Sequence, residues 1–263
     1  MKKGAISTCK PVKGQFLSSY FLREKANGEK RFIFNLRKLN EFIVCNHFQM
    51  EDRKTVIRLI TKNAYLATID LKDAFFLIPI TKRHRKYLRF TFQGKLFEFN
   101  CLPFGLCTAP LTFTKIVKVV MEKLRRDGMI TVIYIDDILF INRSKKMCQT
   151  QVIKAIALFE SLGFIINKDK SAIVPKQQCK YLGFDYDTVK FQISLPKSKR
   201  RSIEKSIRKF INKTDCKIRD WAQLVGTLVA ACPATKYGTM YIKNLERCKY
   251  VSLTNNNSNT MQK

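Results

Sequence analysis

Carboxylates are scarce in this sequence: Asp and Glu together number 20 against 50 Lys and Arg, and histidine occurs only as His47 and His84. No Cys-x-x-Cys pair occurs among the nine cysteines, and their odd number beside two histidines argues against both a disulfide framework and a zinc site. Reduced, buried thiols in an intracellular protein are the expectation. Long apolar runs are missing too. Nowhere do about 18 apolar residues follow one another, so neither a membrane span nor a membrane partner is expected. The basic opening "MKKGAISTCKPVKG" is not followed by an apolar core of signal-peptide length, which points to the cytoplasm or nucleus and away from secretion. No internal repeat is found, and the composition says nothing of oligomeric state.

What is present in excess is positive charge. The formal net charge is +30, with basic residues recurring along nearly the whole chain, and a field of that sign and size suits a polyanionic partner. Nucleic acid fits best, held through its phosphates; a merely solvated basic surface is the bland alternative. With 263 residues, 46% of them hydrophobic, the chain can bury a sizeable core as one domain with subdomains, or two at most.

Residues 16–40 read as two short strands around an Asn27-Gly28 turn, the second from Arg31 to Leu36. "AYLATID" reads as a buried strand ending at Asp70, "LKDAFFLIPI" as a short helical turn leaving at Pro79, and "KYLRFTFQGKLFEFN" as a hairpin about Gln93-Gly94. Thr108 is placed to cap a helix with Pro110 in its first turn that runs to about Arg126 and stops at Gly128. "TQVIKAIALFESLG" predicts a second helix with Val152, Ile153, Ile156, Phe159 and Leu162 on its apolar face, followed by strands "KYLGFDYD" and "KFQISL". After Pro196 the pattern turns helical, with Ile203, Ile207, Phe210 and Ile211 on one face, and the polar end "TNNNSNTMQK" is expected to be disordered. Strand, helix, strand pair, helix and strand from Ala64 to Leu195 are close to a split β-α-β arrangement.

The chemistry concentrates in "TVIYIDDILFI", Thr131 to Ile141, where two aspartates interrupt the most apolar stretch of the chain. In a continuing strand Asp136 and Asp137 would face opposite ways, but a tight hairpin lets both sit at its tip, where a divalent cation would relieve their repulsion. Turn propensity alone is the competing explanation. Asp70, on a strand that would lie beside this hairpin, supplies a third carboxylate, and three of them can hold two ions roughly 3.5–4 Å apart for phosphoryl or nucleotidyl transfer.

"TIDLKDAFF", "LPFGLCTAPLTF", "YIDDILF" and "KYLGF" stand in the order and approximate spacing of reverse transcriptases, and the chain resembles those of retrotransposons, of LTR or DIRS-like type, over roughly Phe16 to Lys249. The resemblance implies an α+β fold of the right-hand polymerase type: partial fingers over residues 1–63, a ferredoxin-like palm with an interleaved fingers hairpin over 64–195, a helical thumb-like subdomain over 196–250 and a disordered tail over 251–263. It implies an RNA-directed DNA polymerase that uses dNTPs on a primed RNA or DNA template with two Mg²⁺ ions, Mn²⁺ being a substitute. Asp70 and Asp136 match its principal metal ligands and Asp137 the third carboxylate. Tyr134 and Ile135 match residues at the primer end, and Tyr181, Leu182 and Gly183 the primer grip. Phe75 matches the steric gate, with the backbone of Asp73 and Ala74 near the triphosphate; Arg31 and Lys25 match the basic pair that holds it.

The resemblance puts Phe104 and Gly105 in the nucleotide-binding loop, but Phe104 stands where retroviral enzymes carry a glutamine, as in many retrotransposon enzymes, which puts a polar nucleotide contact there in doubt. The segment before Arg31 is short for complete fingers and suggests a truncated copy. Bland alternatives stay open: Phe75 as core, Arg31 and Lys25 as surface charge, Tyr181 to Gly183 as a strand end, Cys101 and Cys107 as core. A decayed polymerase that only binds nucleic acid is the functional rival. An RNA polymerase of the same fold is disfavoured by the aromatic ring at position 75. After Phe210 only Asp215, Asp220 and Glu246 remain, too few for a second, four-carboxylate nuclease in this chain.

Overall fold

The computed structural model describes residues 4–24, Gly28, 30–211 and 216–260, the last six as backbone. Lys25 and Asn27 lie outside the described residues. Two compact units result, one of residues 1–59 and 67–175 and the other of 60–66 and 176–263.

In the first unit β1 (Ile6–Thr8), β2 (Tyr20–Glu24) and β3 (Lys30–Phe34) precede the short helix α1 (Arg37–Asn40) and α2 (Arg53–Leu59). The β2–β3 hairpin forms as expected from the flanking alternation, although β3 ends at Phe34 and not at Leu36. β4 (Tyr65–Lys72) leads into a 3₁₀ turn (Ala74–Leu77), α3 (Lys82–Arg85), β5 (Arg89–Phe92) and β6 (Lys95–Phe99). β6 lies between β1 and β5, and the rings of this region pack closely: Phe34 stacks on Phe99 at 5.0 Å and Phe90 on Phe97 at 5.6 Å. Arg89, buried, meets Glu98 at 2.6 Å and donates to the Lys10 carbonyl, so this desolvated charge is satisfied on two sides.

α4 (Ala109–Arg126), β7 (Ile130–Tyr134), β8 (Asp137–Asn142), α5 (Lys145–Ser161), β9 (Ile165–Ile166) and β10 (Ala172–Lys176) follow. The sheet order is β10-β4-β8-β7, with β9 paired to β4. Ile138, Leu139, Phe140 and Ile141 are all buried, because a central strand covered on both faces needs apolar side chains in both directions. That is why the apolar run reads as continuous and not alternating.

α4 packs on β7 and buries Phe113, Val117, Met121 and Leu124, at helical spacing. Thr108 precedes it as placed, yet its hydroxyl makes no capping bond. α5 begins earlier than its sequence suggests, because Ser144 Oγ accepts the Met147 amide at 3.3 Å. Its buried face is Cys148, Gln151, Val152, Ala155 and Phe159; Ile153 and Leu162 are exposed, so the predicted face was rotated.

In the second unit "KYLGFDYD" is not one strand. β11 (Gln178–Tyr181) and β12 (Phe184–Asp187) fold back on one another at Leu182-Gly183, where both residues have positive φ, and β13 (Gln192–Ser194) adds a third strand. This small sheet clusters with the helices α6 (Lys197–Ile211), α7 (Ile218–Ala231) and α8 (Gly238–Thr260) in the second unit. On α6 Ile203 is buried and Ile211 exposed. Of the tail expected to be disordered, residues 251–260 continue α8 as helix, and residues 261–263 lie outside the described residues. Among the described residues no helix is long and apolar enough to cross a membrane.

Candidate active site

The hairpin of β7 and β8 places the two adjacent aspartates. Tyr134 pairs with Asp137, which leaves Ile135 and Asp136 as the two-residue turn. Ile135 takes φ +57°, a left-handed conformation that for a β-branched residue costs on the order of 1–3 kcal/mol and is held only where its surroundings over-determine it. The holding contact is visible: the Asp136 carbonyl accepts the Leu71 amide at 2.9 Å, pinning the turn to the strand that carries Asp70. β4 runs on to Lys72, so Asp70 sits within the strand and not at its end as the sequence suggested.

Asp70 is buried and its backbone is locked from both directions. Its amide donates to Ser171 Oγ at 3.0 Å, and its carbonyl accepts the Asn167 amide at 2.8 Å. Ser171 in turn donates to the Asn167 carbonyl at 2.7 Å. Neither residue was singled out by sequence reasoning; a polar turn "NKDKS" between two short strands was the only sign of them.

The three carboxylates are electrostatically joined. Burial pushes the Asp136 carboxyl above the usual carboxylate range, and the charge of Asp70 adds to it. Asp137 is pushed up to about 6 by burial first, then by Asp136 and Asp70, with which it shares a hydrogen bond; Lys170 acts against the rise. That lysine lies 3.9 Å from Asp70 and is largely exposed, so its contribution is screened.

Among the described residues no three acidic, imidazole or thiol side chains stand as a ready cation cluster. The donor set nevertheless suits a hard divalent ion: three carboxylates, mutually repelling and partly desolvated, whose repulsion a cation would relieve. Small side-chain rotations would turn Asp70 and Asp137 from each other toward an ion.

Downstream of Asp70 the chain turns sharply. Asp73 is left-handed at φ +51° and its carbonyl accepts the Phe76 amide at 2.8 Å, opening the 3₁₀ turn. Ala74 and Phe75 are buried, Phe75 to 5% exposure, with its ring 4.9 Å from Phe104 and 5.1 Å from Phe113. Phe104 is 53% exposed and Gly105, at φ +97°, follows it. Thus Phe75, Phe104 and Gly105 are brought together. Arg31 is exposed on β3 opposite Arg23. Tyr181, Leu182 and Gly183 belong to the second unit, with Tyr181 buried.

Of the cysteines, Cys101 and Cys148 are buried and both thiols pushed up to about 11 by burial, whereas Cys45, Cys216 and Cys248 are exposed. Cys107 is only half-buried and hydrogen-bonds Cys45, so it is not plain core.

Glu51 was also missed. It accepts the Ile133 amide at 2.9 Å and meets Arg125 at 2.6 Å, while Arg125 donates to the Thr131 carbonyl. An edge strand otherwise presents unpaired amides, and Glu51 closes that of β7 directly beside the aspartate turn. The adjacent acids Glu51 and Asp52 in an acid-poor sequence were its signal.

A family model described as reverse transcriptase (RNA-dependent DNA polymerase) matches residues 23–186. The enzymatic polyprotein of Figwort mosaic virus (strain DxS) is 24% identical over 181 residues, 67% of this chain and 27% of its own length. The genome polyprotein of Petunia vein clearing virus (isolate Shepherd) is 25% identical over 163 residues, 62% of this chain and 7% of its own. The chain thus spans about a quarter or less of the curated relatives it matches. Among solved structures, the foamy viral protease-reverse transcriptase dRH in complex with ds DNA superposes with a TM-score of 0.77 at 22% identity, covering 94% of this chain and 41% of that one. The foamy viral protease-reverse transcriptase in complex with an RNA/DNA hybrid gives 0.72 at 21%, covering 94% and 31%. The α+β architecture is therefore that of these right-hand polymerases.

Proposed function

We propose, from the premise that this chain belongs to the reverse transcriptase (RNA-dependent DNA polymerase) family, that it extends a primer on an RNA or DNA template as the polymerase of a retroelement. The observation that carries this is the coupling of Asp70 to Asp136 and Asp137 across two neighbouring strands, in a protein of +30 charge. The ds DNA and RNA/DNA hybrid in the foamy viral complexes support a primer–template duplex as the partner here.

In this reading Asp70, Asp136 and Asp137 hold two Mg²⁺ ions, which Mn²⁺ can replace. Such ions, when bound, would supply neutralisation of the negative charge that develops in nucleotidyl transfer. The residues' own work is positional. The strained Ile135 turn, tied to Leu71, holds two carboxylates at a fixed offset from the third, so little reorganisation remains when charge develops. Burial keeps water from competing for those oxygens and raises the cost of leaving them unpaired.

Tyr134 and Ile135 flank the primer terminus, and Tyr181, Leu182 and Gly183 serve as the primer grip. The backbone of Asp73 and Ala74 lies under the triphosphate, which Arg31 and Lys25 clasp from the fingers side. Phe75, backed by Phe113, walls the sugar site and leaves no room for a 2′-hydroxyl. Residues 1–63 act as fingers, 64–195 as palm and 196–250 as thumb, and the chain works inside the cell, in cytoplasm or nucleus.

Primer extension by the purified chain tests the proposal: Mg²⁺-dependent addition of dNTPs to a primed RNA template is expected. Duplex binding without extension, in Mg²⁺ or Mn²⁺, would instead leave a nucleic-acid-binding protein.

A further inference from the structure

Phe104 owes its position to a side chain that plays no part in the readings above. Asn40, the last residue of α1, donates from Nδ2 to the Gly105 carbonyl at 2.9 Å, and its Oδ1 accepts the Cys107 amide at 3.0 Å. A carboxamide can do both with one planar group, so a single residue ties two points of the loop 104–107. Asn40 is itself fixed: its amide donates to the Leu36 carbonyl at 2.8 Å, and Leu36 and Leu39 are buried. From the other side, a Cβ at Gly105 would meet the Phe34 carbonyl at 3.1 Å, so the loop lies pressed between the end of β3 and α1.

The residue immediately before these anchors is Phe104. Its ring is 4.9 Å from Phe75 and 5.6 Å from Phe76, and it remains 53% exposed where Phe75 is 5% exposed. A nucleotide approaching this wall therefore meets the ring of Phe104 as well as the edge of Phe75. Where a glutamine would orient itself by hydrogen bonds to the ligand, a phenyl ring has no such handle. Its direction must come from the backbone that carries it.

We propose that Asn40 is a positioning residue for nucleotide selection: by clamping Gly105 and Cys107 it holds the Phe104 ring over Phe75 and so sets the tightness of the sugar-discriminating wall. This rests on the reading of Phe75 and Phe104 as part of the nucleotide site. The clamp's hydrogen bonds are partly open to solvent, so water can replace them when the side chain is removed. Its loss loosens the loop without unfolding the protein.

The test measures the Kd of an incoming dNTP and of the matching rNTP on full-length chain bound to a primer–template with a dideoxy-terminated primer, so that no turnover is needed. Asn40→Ala should weaken dNTP binding about tenfold and rNTP binding less, narrowing the preference several-fold. Asn40→Asp, which keeps the acceptor for Cys107 but loses the donor to Gly105, should move in the same direction. In a Phe104→Ala background, Asn40→Ala should add nothing, since the clamp acts through that ring. Additive effects in the double variant, or an Asn40→Ala protein with unchanged Kd for both nucleotides, would overturn the inference. If Phe75→Ala leaves the sugar preference untouched, the pocket reading fails and this inference with it; if Phe75→Ala relaxes the preference and the Asn40 variants do not, only the clamp falls.

Discussion

Replacing Phe75 by Ala separates a sugar gate from a piece of core, because the structure makes this ring both buried and adjacent to the proposed nucleotide wall. At 5% exposure, with rings at 4.9 and 5.1 Å on two sides, the site cannot collapse freely onto an alanine. A loss of about 3–5 kcal/mol is expected, as for other buried Phe→Ala changes. At about 2–4 °C per kcal/mol for a chain of this size, Tm should fall by roughly 6–20 °C. Phe159→Ala provides the control. That ring is fully buried too, but Phe164 and Phe113 separate it from Phe75. Both variants should melt early. Only Phe75→Ala should raise ribonucleotide over deoxyribonucleotide incorporation, by one or more factors of ten in the ratio of kcat/KM, each about 1.4 kcal/mol of differential transition-state binding. The assay is single-nucleotide extension with each sugar, run well below both melting points, beside differential scanning calorimetry. If both variants relax sugar selection equally, the effect is general loosening; if neither does, Phe75 is core and leaves the site.

Asp136→Asn keeps shape and removes charge, so extension should drop by orders of magnitude while duplex binding in a gel shift persists; equal activity would remove Asp136 from the metal site. For the metal-free protein, Asp137 at about 6 stands above the ordinary carboxylate, so the folded state holds that proton more tightly than the unfolded one, and this group's contribution to stability falls as pH rises from about 4 to 6. Mg²⁺ must displace the same proton, so calorimetric Mg²⁺ affinity should weaken below about pH 6, by up to about tenfold per unit, and a pH-independent affinity would refute the coupling. Primer–template affinity should fall linearly with salt on logarithmic axes, with a slope reporting several phosphate contacts and little dependence on sequence. A flat response would mean that the basic surface serves another partner. Glu51→Ala leaves the Ile133 amide without its acceptor and Arg125 without its ion-pair partner, and should cost about 1–3 kcal/mol, read as a lower Tm that Glu51→Gln partly restores.

Sequence alone determined whatever depends on local chemistry. Apolar runs flanking Asp136-Asp137 forced a buried hairpin, Pro110 and Gly128 bracketed α4, and Gly94 turned β5 into β6, since each follows from backbone preference and nearest-neighbour burial. Four spaced motifs carried the family, and three aspartates, one on β4 and two at the β7–β8 hairpin, carried the proposed chemistry. Tertiary packing decided the remainder. The phase of α5 came from which face met β8, so Ile153 was left outside and Gln151 buried. "KYLGF" reads as a strand until Leu182-Gly183 folds it upon itself, and a polar terminal stretch continued as helix from the apolar turns before it. Bonds between residues far apart in the chain left almost no local trace: Leu71 to Asp136, Ser171 to Asp70, Glu51 to Ile133 and Asn40 to Cys107. A hydrogen bond's two partners need share no sequence pattern. Only the path of the folded backbone brings them within about 3 Å, and at this site that path sets how the carboxylates and the Phe104 ring are held.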